Sequence, residues 1–226
     1  MKELDPYKSL LKRISNHGYS AYFVGGCVRD VLFGIDVKDV DIATSAPIDI
    51  VIDIFSNKTL DTSALVFHTI SFRHNRMPVT VTPFRKEGKY TKHRYPSSIS
   101  HTDSVEEDAK RRDFTINAIY VDIDGKMIDF YNGKEHIKQR RLVSIKTADR
   151  SMSEDAIRIL RAIRFMALYD LTPDESLAQA LKDHASLVNR LSRHSLDSEL
   201  EKLKRSATYQ QQTRFYELIV KYNIKM

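Results

Sequence analysis

The stretch VGGCVRD, residues 24–30, contains the change of pattern that decides the fold. A short β-type run, Ala21–Val24, leads into two glycines, and a helical pattern over Cys27–Phe33 follows them. Glycine lets backbone N–H groups approach an anion closely, and a helix N-terminus favours negative charge. Arg29 would add a charged donor for a triphosphate. The stretch predicts a strand–turn–helix corner that binds phosphate, and a corner without any ligand is an equally good interpretation.

Two aspartates follow this corner on a second predicted strand, Val37–Ala43. Alternate residues of a strand point to one face, so Asp39 and Asp41 would project together. Two converging carboxylates repel unless a cation lies between them, and Mg²⁺ prefers one or two carboxylates together with substrate phosphates. The pair alone is weak evidence, but its position beside a phosphate-type turn makes it a candidate magnesium site.

The spacing of apolar residues divides the chain into two parts. Up to about Ile145, short β-type runs alternate with short helical ones, and from Ser153 onward the pattern is helical. The sequence therefore predicts an α+β fold, with a head domain at 1–148 and a helical module at 149–226. Further predicted elements are a helix that opens at Asp5-Pro6, a helix over Ile48–Phe55, a hairpin of Phe67–Phe72 with Val79–Phe84, a charged loop over Arg85–Tyr95, a helix from Ser104, a hairpin about Asp124-Gly125 and a strand over Leu142–Ile145.

The segment RRDFTINA, residues 111–118, is the strongest local signal. Asp113 is expected to cap a helix that starts here, which would place Arg111 and Arg112 at the positive end of the helix dipole. Cations in that position suggest an anion between them. The alternative is that both arginines pair with the acidic residues 106–108, and physical reasoning weighs the two equally.

A polar stripe runs along the predicted helix EDAIRILRAIRF, residues 154–165. Asp155, Arg158, Arg161 and Arg164 are three residues apart, so each is a neighbour of the next on the helix surface. Solvated arginines with one ion pair are the ordinary outcome. An Asp acceptor beside an Arg donor also matches the amino group and ring nitrogen on the pairing edge of cytosine or adenine. Uracil and guanine carry the opposite pattern.

Composition excludes several classes of protein. The 226 residues include 36 Lys+Arg and 30 Asp+Glu, a net charge of +6, and a single cysteine. One cysteine excludes a disulfide scaffold and suits a reducing cytoplasm. No apolar run approaches the roughly 20 residues of a membrane span, and the N-terminus has no secretory signal. We therefore expect a cytoplasmic protein without a membrane partner.

The four segments at 24–30, 39–41, 111–118 and 154–165, in this order, resemble the class II tRNA nucleotidyltransferases, or CCA-adding enzymes, and the related bacterial poly(A) polymerases. The resemblance implies a polymerase-β-like nucleotidyltransferase head, a mixed sheet with flanking helices, followed by an all-helical neck. It also implies that the family's body and tail domains lie outside this chain, and that an oligomer or a partner chain could supply what they do.

The resemblance assigns roles residue by residue. Asp39 and Asp41 would bind catalytic Mg²⁺, and Gly26 and Arg29 would bind the triphosphate. The nucleotide itself would contact a further set of residues, namely Arg112, Asp155, Arg158, Arg161 and Arg164. The implied reaction adds C and A from CTP and ATP to the 3′ end of tRNA without a nucleic-acid template and releases pyrophosphate.

Two departures from the family pattern keep alternatives open. Thr80 stands where the family often has an acidic residue, and His194-Ser195 replace a Glu-Arg pair. The alternatives are a poly(A)-type or a C-only or A-only nucleotidyltransferase, and, from another class, an idle nucleotide- or RNA-binding remnant. The basic segment Arg85–Arg94, with Tyr90 among its cations, could track an RNA backbone.

Overall fold

The protein is described here by a computed structural model that covers residues 1–226. The helices are α1 (Lys8–Ser15), α2 (Gly26–Phe33), α3 (Ile48–Ile54), α4 (Val105–Lys110), α5 (Gly133–Lys138), α6 (Ala148–Glu154), α7 (Ile157–Tyr169), α8 (Glu175–Asp183), α9 (Arg193–Ser206) and α10 (Tyr209–Lys221). The strands are β1 (Ala21–Phe23), β2 (Val40–Thr44), β3 (Ile70–His74), β4 (Met77–Pro83), β5 (Arg85–Glu87), β6 (Tyr90–Thr91), β7 (Tyr95–Pro96), β8 (Ile99–His101), β9 (Ile119–Val121), β10 (Met127–Asp129), β11 (Arg141–Leu142) and β12 (Thr172–Pro173). Short 3-10 helices lie at Lys2–Tyr7, Leu65–Phe67, Thr115–Asn117 and Ala185–Arg190.

The chain forms two compact units that interleave in sequence. The first unit comprises Met1–Glu87, Ile99–Arg112 and Ile116–Lys134, and the second comprises Gly88–Ser98, Asp113–Thr115 and Glu135–Met226. Three segments that precede residue 149 thus join the helical unit.

A six-stranded mixed sheet is the centre of the first unit. Its strand order is β10-β9-β1-β2-β4-β3. The β2 and β4 strands are parallel, whereas the other neighbouring strands are antiparallel. Helices α1, α2 and α3 pack against this sheet. The buried residues of α1 and α3 are apolar, whereas α2 buries Arg29 and Asp30 beside Cys27 and Val28. The mixed sheet with flanking helices confirms the predicted α+β fold.

Aromatic side chains fill one part of the core of the first unit. Tyr120 and Phe84 are fully buried, and the rings of Tyr22 and Tyr120 meet edge to face with centroids 6.1 Å apart. Such edge-to-face pairs place the positive ring edge against the negative ring face. They hold β1, β9 and the end of β4 together beside the Gly25-Gly26 turn.

The strand pairs confirm both predicted hairpins. β3 and β4 pair across Asn75 and Arg76, which both have positive φ. β9 and β10 pair around Gly125, which has a φ of 85°. The two-residue turn between β3 and β4 follows the twist of its strands because both central residues have positive φ.

The expectation of an unpatterned charged loop over Arg85–Tyr95 is wrong. β5 pairs with β8 in the first unit, and β6 pairs with β7 in the second. These strands have two or three residues each and no buried apolar face. The apolar alternation that reveals a strand in a sequence is therefore absent from them.

Two predicted boundaries also move. The first helix does not open with Asp5 as its cap, because a 3-10 helix over Lys2–Tyr7 precedes α1 and the Asp5 carboxylate pairs with Lys8 instead. The second strand begins at Val40 rather than at residue 37. The predicted start of a helix near Ser104 is confirmed, because α4 begins at Val105 and the Ser104 hydroxyl accepts from the Glu107 N–H.

Helix α7 is the central element of the second unit. Nearly all of its residues are buried, and α6, α9 and α10 pack against it. Side-chain caps begin the surrounding helices: Asp174 caps α8, Ser192 caps α9, and Thr208 forms a capping box with Gln211 on α10. No helix anywhere in the structure has both the length and the apolar character needed to cross a bilayer.

Candidate functional site

The turn at Gly25-Gly26 connects β1 to α2 and leaves little space for a side chain at Gly25. Gly25 has a φ of 71°, a conformation that glycine adopts without strain. A Cβ atom on Gly25 would lie 3.0 Å from Asp41 Oδ2 and 3.7 Å from Arg112 Nη1. The glycine therefore permits a carboxylate and a guanidinium to approach the backbone at the start of α2.

Asp39 and Asp41 converge on the same turn. A Cβ atom on Gly26 would lie 3.6 Å from Asp39 Oδ1, 3.8 Å from Asp41 Oδ2 and 3.6 Å from Arg29 Nη2. We expected Asp39 to lie on the second strand. It precedes the strand, because β2 begins one residue later at Val40. The structure nevertheless brings both carboxylates and Arg29 together around Gly26.

The electrostatic state of Asp41 reflects this crowding. Burial raises the pKa of Asp41 to about 6, and the neighbouring Asp39 carboxylate contributes in the same direction. The guanidinium groups of Arg112 and Arg29, and the N–H of Gly26, act in the opposite direction. Two carboxylates in this position favour a cation between them.

Arg29 is held firmly on α2. Its Nη1 donates to Asn117 Oδ1 at 2.7 Å, while its Nε and Nη2 donate to Asp30 Oδ1 at 3.0 and 2.8 Å. Arg29 and Asp30 are both buried. The guanidinium is therefore fixed in one orientation beside Gly26.

The expectation for Arg111, Arg112 and Asp113 is wrong in its geometry. No α-helix starts at Asp113; its carboxylate accepts from the Phe114 N–H, and only a 3-10 turn follows. Arg111 instead caps the C-terminal end of α4, where the helix dipole favours cations. Both arginines pair with the fully buried Asp108, at 2.7 and 3.0 Å, so the alternative pairing is the observed one.

Tyr120 completes the group around Asp108. Its hydroxyl donates to Asp108 Oδ2 at 2.6 Å and accepts from Arg112 Nε at 2.8 Å. Burial alone would raise the pKa of Asp108, but the guanidinium groups of Arg111 and Arg112 outweigh burial and hold that pKa far below its usual range. Asp108 therefore keeps its charge and fixes Arg112 close to Gly25.

The oxygen donors around Gly26 fit a magnesium ion that is also bound by substrate phosphates. The structure contains no group of three or more His, Cys, Asp or Glu side chains that could hold a metal by themselves. The position in register with Asp41 on the parallel strand β4 is Thr80, which carries no carboxylate. Two carboxylates that leave the other coordination positions of the ion to phosphate oxygens and water match the preference of Mg²⁺.

The second unit contains the other predicted nucleotide residues. We expected Asp155 to lie within the helix. It lies instead between α6 and α7, where its backbone is extended. Its Oδ1 accepts from the Ile157 N–H, and both carboxylate oxygens lie 3.1 Å from Arg94 Nη1. Arg158, the second residue of α7, is buried and donates to Ser151 Oγ and to the Tyr90 hydroxyl.

The remaining two arginines of α7 are also paired, so the interpretation as solvated charges is wrong. Arg161 contacts Asp113 at 2.7 Å, and Arg164 contacts Glu199 of α9 at 2.8 Å. These pairs are largely buried. They connect α7 to its neighbours within the second unit.

Sequence reasoning named Asp108 as one possible partner of Arg111 and Arg112, because residues three and four apart on a helix are neighbours. It missed the other partners. Asn117 and Tyr90 gave no signal because Arg29 and Arg158, their partners, are distant in sequence. Ser151 lies seven residues before Arg158, across the break between α6 and α7.

Comparison with known proteins identifies the family and the fold. Residues 21–143 match the poly A polymerase head domain family. The chain is 41% identical to a CCA-adding enzyme of Geobacillus kaustophilus (strain HTA426) and 39% identical to one of Lactococcus lactis subsp. cremoris (strain MG1363). Each match covers 86% of this chain and 48% of the relative, so the chain spans about half the length of the curated relatives it matches.

Solved structures show the same fold. A crystal structure of the Bacillus stearothermophilus CCA-adding enzyme in complex with CTP superposes with a TM-score of 0.80 and 34% identity, over 90% of this chain and 49% of that one. A tRNA nucleotidyltransferase complexed with a primer tRNA and an incoming ATP analog gives a TM-score of 0.76 and 25% identity, over 96% and 60%. The family match covers more than half of the residues of this chain, and the chain therefore belongs to the poly A polymerase head domain family.

Proposed function

We propose that this chain carries the nucleotidyl-transfer part of an enzyme that adds C and A to the 3′ end of tRNA. CTP and ATP are the substrates, pyrophosphate leaves, and no nucleic-acid template is used. The observation that carries this proposal is the convergence of Asp39, Asp41 and Arg29 on Gly26. The relatives, which are CCA-adding enzymes, support it.

Asp39 and Asp41 are the residues that would hold Mg²⁺. When bound, the ion neutralises phosphate charge and favours in-line attack of the RNA 3′-hydroxyl on the α-phosphate. The raised pKa of Asp41, about 6, supports this role because the two carboxylates need a cation to share.

Gly26 and Arg29 would bind the triphosphate. The N-terminus of the eight-residue helix α2 presents backbone N–H groups at the turn, and glycine allows phosphate oxygens to come close. Arg29 adds a fixed positive charge. Arg112, fixed by Asp108 and Tyr120, would supply a second positive charge to the nucleotide.

Asp155 and Arg158 would select the base. An acceptor beside a donor satisfies the pairing edge of cytosine and adenine and leaves uracil and guanine facing like groups. A buried site that leaves polar groups unpaired rejects the wrong base strongly. Arg161 and Arg164 would line the nucleotide site, and their pairs with Asp113 and Glu199 support a role in fixing α7.

Several wider expectations remain part of the proposal. They are a head at 1–148 with a neck at 149–226, a cytoplasmic location, the tRNA 3′ end as partner, and help from an oligomer or a partner chain in holding the RNA. Gel filtration at two protein concentrations tests the last of these. A monomer at both concentrations would exclude self-association as the means of holding RNA.

Product analysis tests the proposed function. Transfer RNA lacking its CCA end is incubated with the protein, Mg²⁺ and each nucleotide separately, then with CTP and ATP together. We expect C addition with CTP, completion of CCA with both, and no extension with UTP or GTP. Long A tails without C addition would favour the poly(A)-type alternative. Extension that stops after one kind of nucleotide would favour the C-only or A-only form.

A further inference from the structure

Tyr90 contacts the Arg158 side chain in two ways. Arg158 Nη2 donates to the Tyr90 hydroxyl at 3.2 Å, and the Arg158 Cζ atom lies 5.5 Å from the centroid of the tyrosine ring. Tyr90 belongs to the small strand pair of β6 and β7 in the second unit. The Lys146 Nζ atom lies 5.6 Å from the same ring centroid, so the ring interacts with two cations.

Ser151 contacts the other end of the same guanidinium. Arg158 Nη1 donates to Ser151 Oγ at 3.0 Å. Ser151 lies on α6 and is fully buried, and Arg158 is only 4% exposed. The two hydroxyl oxygens therefore anchor the two terminal nitrogens of Arg158 from two different elements.

Anchors at both nitrogens determine the plane of the guanidinium. The group is planar and its N–H bonds point in fixed directions, so two hydrogen bonds to separate atoms leave it little freedom to rotate. Hydrogen bonds weaken steeply when the donor angle departs from linearity. A donor that must recognise one pairing edge and reject another needs such a fixed plane.

We propose that Tyr90 and Ser151 are positioning residues that set base discrimination through Arg158. This inference rests on the proposed function, in which Arg158 reads the base. Neither residue touches the reacting atoms. Loss of either hydroxyl lets the guanidinium tilt and pair with the wrong base, without any change in the metal and phosphate residues of the first unit.

A different role for Tyr90 makes a different prediction. The cations of Arg85–Arg94 led us to expect that Tyr90 could stack on an RNA base. Stacking needs only the ring, so Tyr90→Phe would leave that function intact and Tyr90→Leu would weaken tRNA affinity. In our proposal the hydroxyl is essential, so Tyr90→Phe lowers base discrimination although it keeps the ring.

Calorimetric titration of CTP and of UTP tests the proposal on the protein alone. The variants are Tyr90→Phe and Ser151→Ala, and Tyr95→Phe is the matched control from the same hairpin. Tyr95 is exposed, and its ring faces Arg94 rather than Arg158. We expect the ratio of CTP to UTP affinity to fall about tenfold in each test variant, because each loses a hydrogen bond to a charged group. The control ratio should remain at the wild-type value.

A double-mutant cycle separates positioning from general damage to the fold. In an Arg158→Ala background, Tyr90→Phe should change the CTP to UTP ratio no further, because the group it positions is gone. An unchanged ratio in both single variants, or an equal loss in the Arg158→Ala background, would overturn the proposal. A wild-type protein that does not distinguish CTP from UTP would overturn it as well. A wild type that distinguishes them but extends no tRNA would refute only the proposed function.

Discussion

The Arg94 Nη1 atom lies 3.1 Å from both carboxylate oxygens of Asp155. Burial raises the pKa of Asp155, whereas Arg94 and Arg158 oppose that rise. A cation from the turn between β6 and β7 thus opposes protonation of the proposed acceptor for the amino group of the base. Residues far apart in the sequence therefore determine the state of Asp155.

Arg94→Ala should make nucleotide binding more sensitive to acid. Without the cation, the pKa of Asp155 rises further, and a protonated carboxyl group accepts less well from a base amino group. We expect a rise of several-fold in KM for both CTP and ATP at pH 6, and a smaller rise at pH 8. Steady-state kinetics at both pH values checks this. Arg94→Lys is the matched control, and equal effects of Arg94→Ala at the two pH values would contradict the charge argument.

Gly25→Ala should lower activity by crowding the Asp41 carboxylate. The new Cβ would lie 3.0 Å from Asp41 Oδ2, at a φ of 71°. Gly34 has the same φ of 71° but lies in the left-handed helical region, with a ψ of 32° against −134° at Gly25, and no atom lies within 4 Å of an added Cβ. Gly34→Ala should therefore lose about 1 kcal/mol of stability in urea unfolding, and Gly25→Ala should lose more. Only Gly25→Ala should lose activity, by about tenfold or more. Equal activity in the two variants would show that the turn does not need a glycine for the approach of Asp41.

Asp108→Asn should destabilise the first unit strongly. The carboxylate is fully buried and pairs with two arginines and with the Tyr120 hydroxyl. Removing one partner from a buried ionic group costs about 3–5 kcal/mol. The exposed pair of Glu106 and Lys110 provides the control, and Glu106→Gln should cost less than about 1 kcal/mol. Chemical denaturation measures both, and a similar small loss in the two variants would mean that Asp108 does not hold this group together.

Glu199 should contribute acid-sensitive stability to the second unit. Burial alone would raise its pKa, but Arg164, Arg161 and Lys202 outweigh burial and lower that pKa to about 2, against 4.5 for the free side chain. A depressed folded-state pKa stabilises the fold above pH 4.5, and this stability is lost as the pH falls toward 2. Its size is about 3 kcal/mol.

Unfolding free energies at a series of pH values test the role of Glu199. Glu199→Gln should flatten the pH dependence between about 4.5 and 2. Glu201→Gln, on the exposed side of α9, should leave it unchanged. A wild-type slope that persists in Glu199→Gln would assign the acid sensitivity to other carboxylates.

The sequence predicted the features that depend on local pattern. The strand, the two glycines and the helix over residues 21–33 follow from residue type and spacing, as do the two hairpins with turn residues such as Gly125. Asp39 and Asp41 were expected to project together because they are alternate residues of a predicted strand. They converge at the turn although Asp39 precedes β2.

Features that depend on tertiary pairing were not predictable. No local pattern decided between an anion at the start of a helix and Asp108 as the partner of Arg112, because the burial of Asp108 depends on tertiary packing. The β6–β7 pair lacks an apolar face, so its contacts with Arg158 and Asp155 were invisible in the sequence.

The rate of tRNA extension with Mg²⁺, compared among wild type, Asp39→Ala, Asp41→Ala and Asp36→Ala, tests the proposed chemistry most directly. Asp36 is an exposed acid three residues before Asp39 and serves as the matched control. We predict that each change at the two converging carboxylates lowers the rate by at least about 1,000-fold, because the stabilisation of the transition state is lost. Asp36→Ala should stay within about twofold of wild type. Equal rates in all four proteins, including no extension by any of them, would contradict the proposal and favour an idle nucleotide- or RNA-binding remnant.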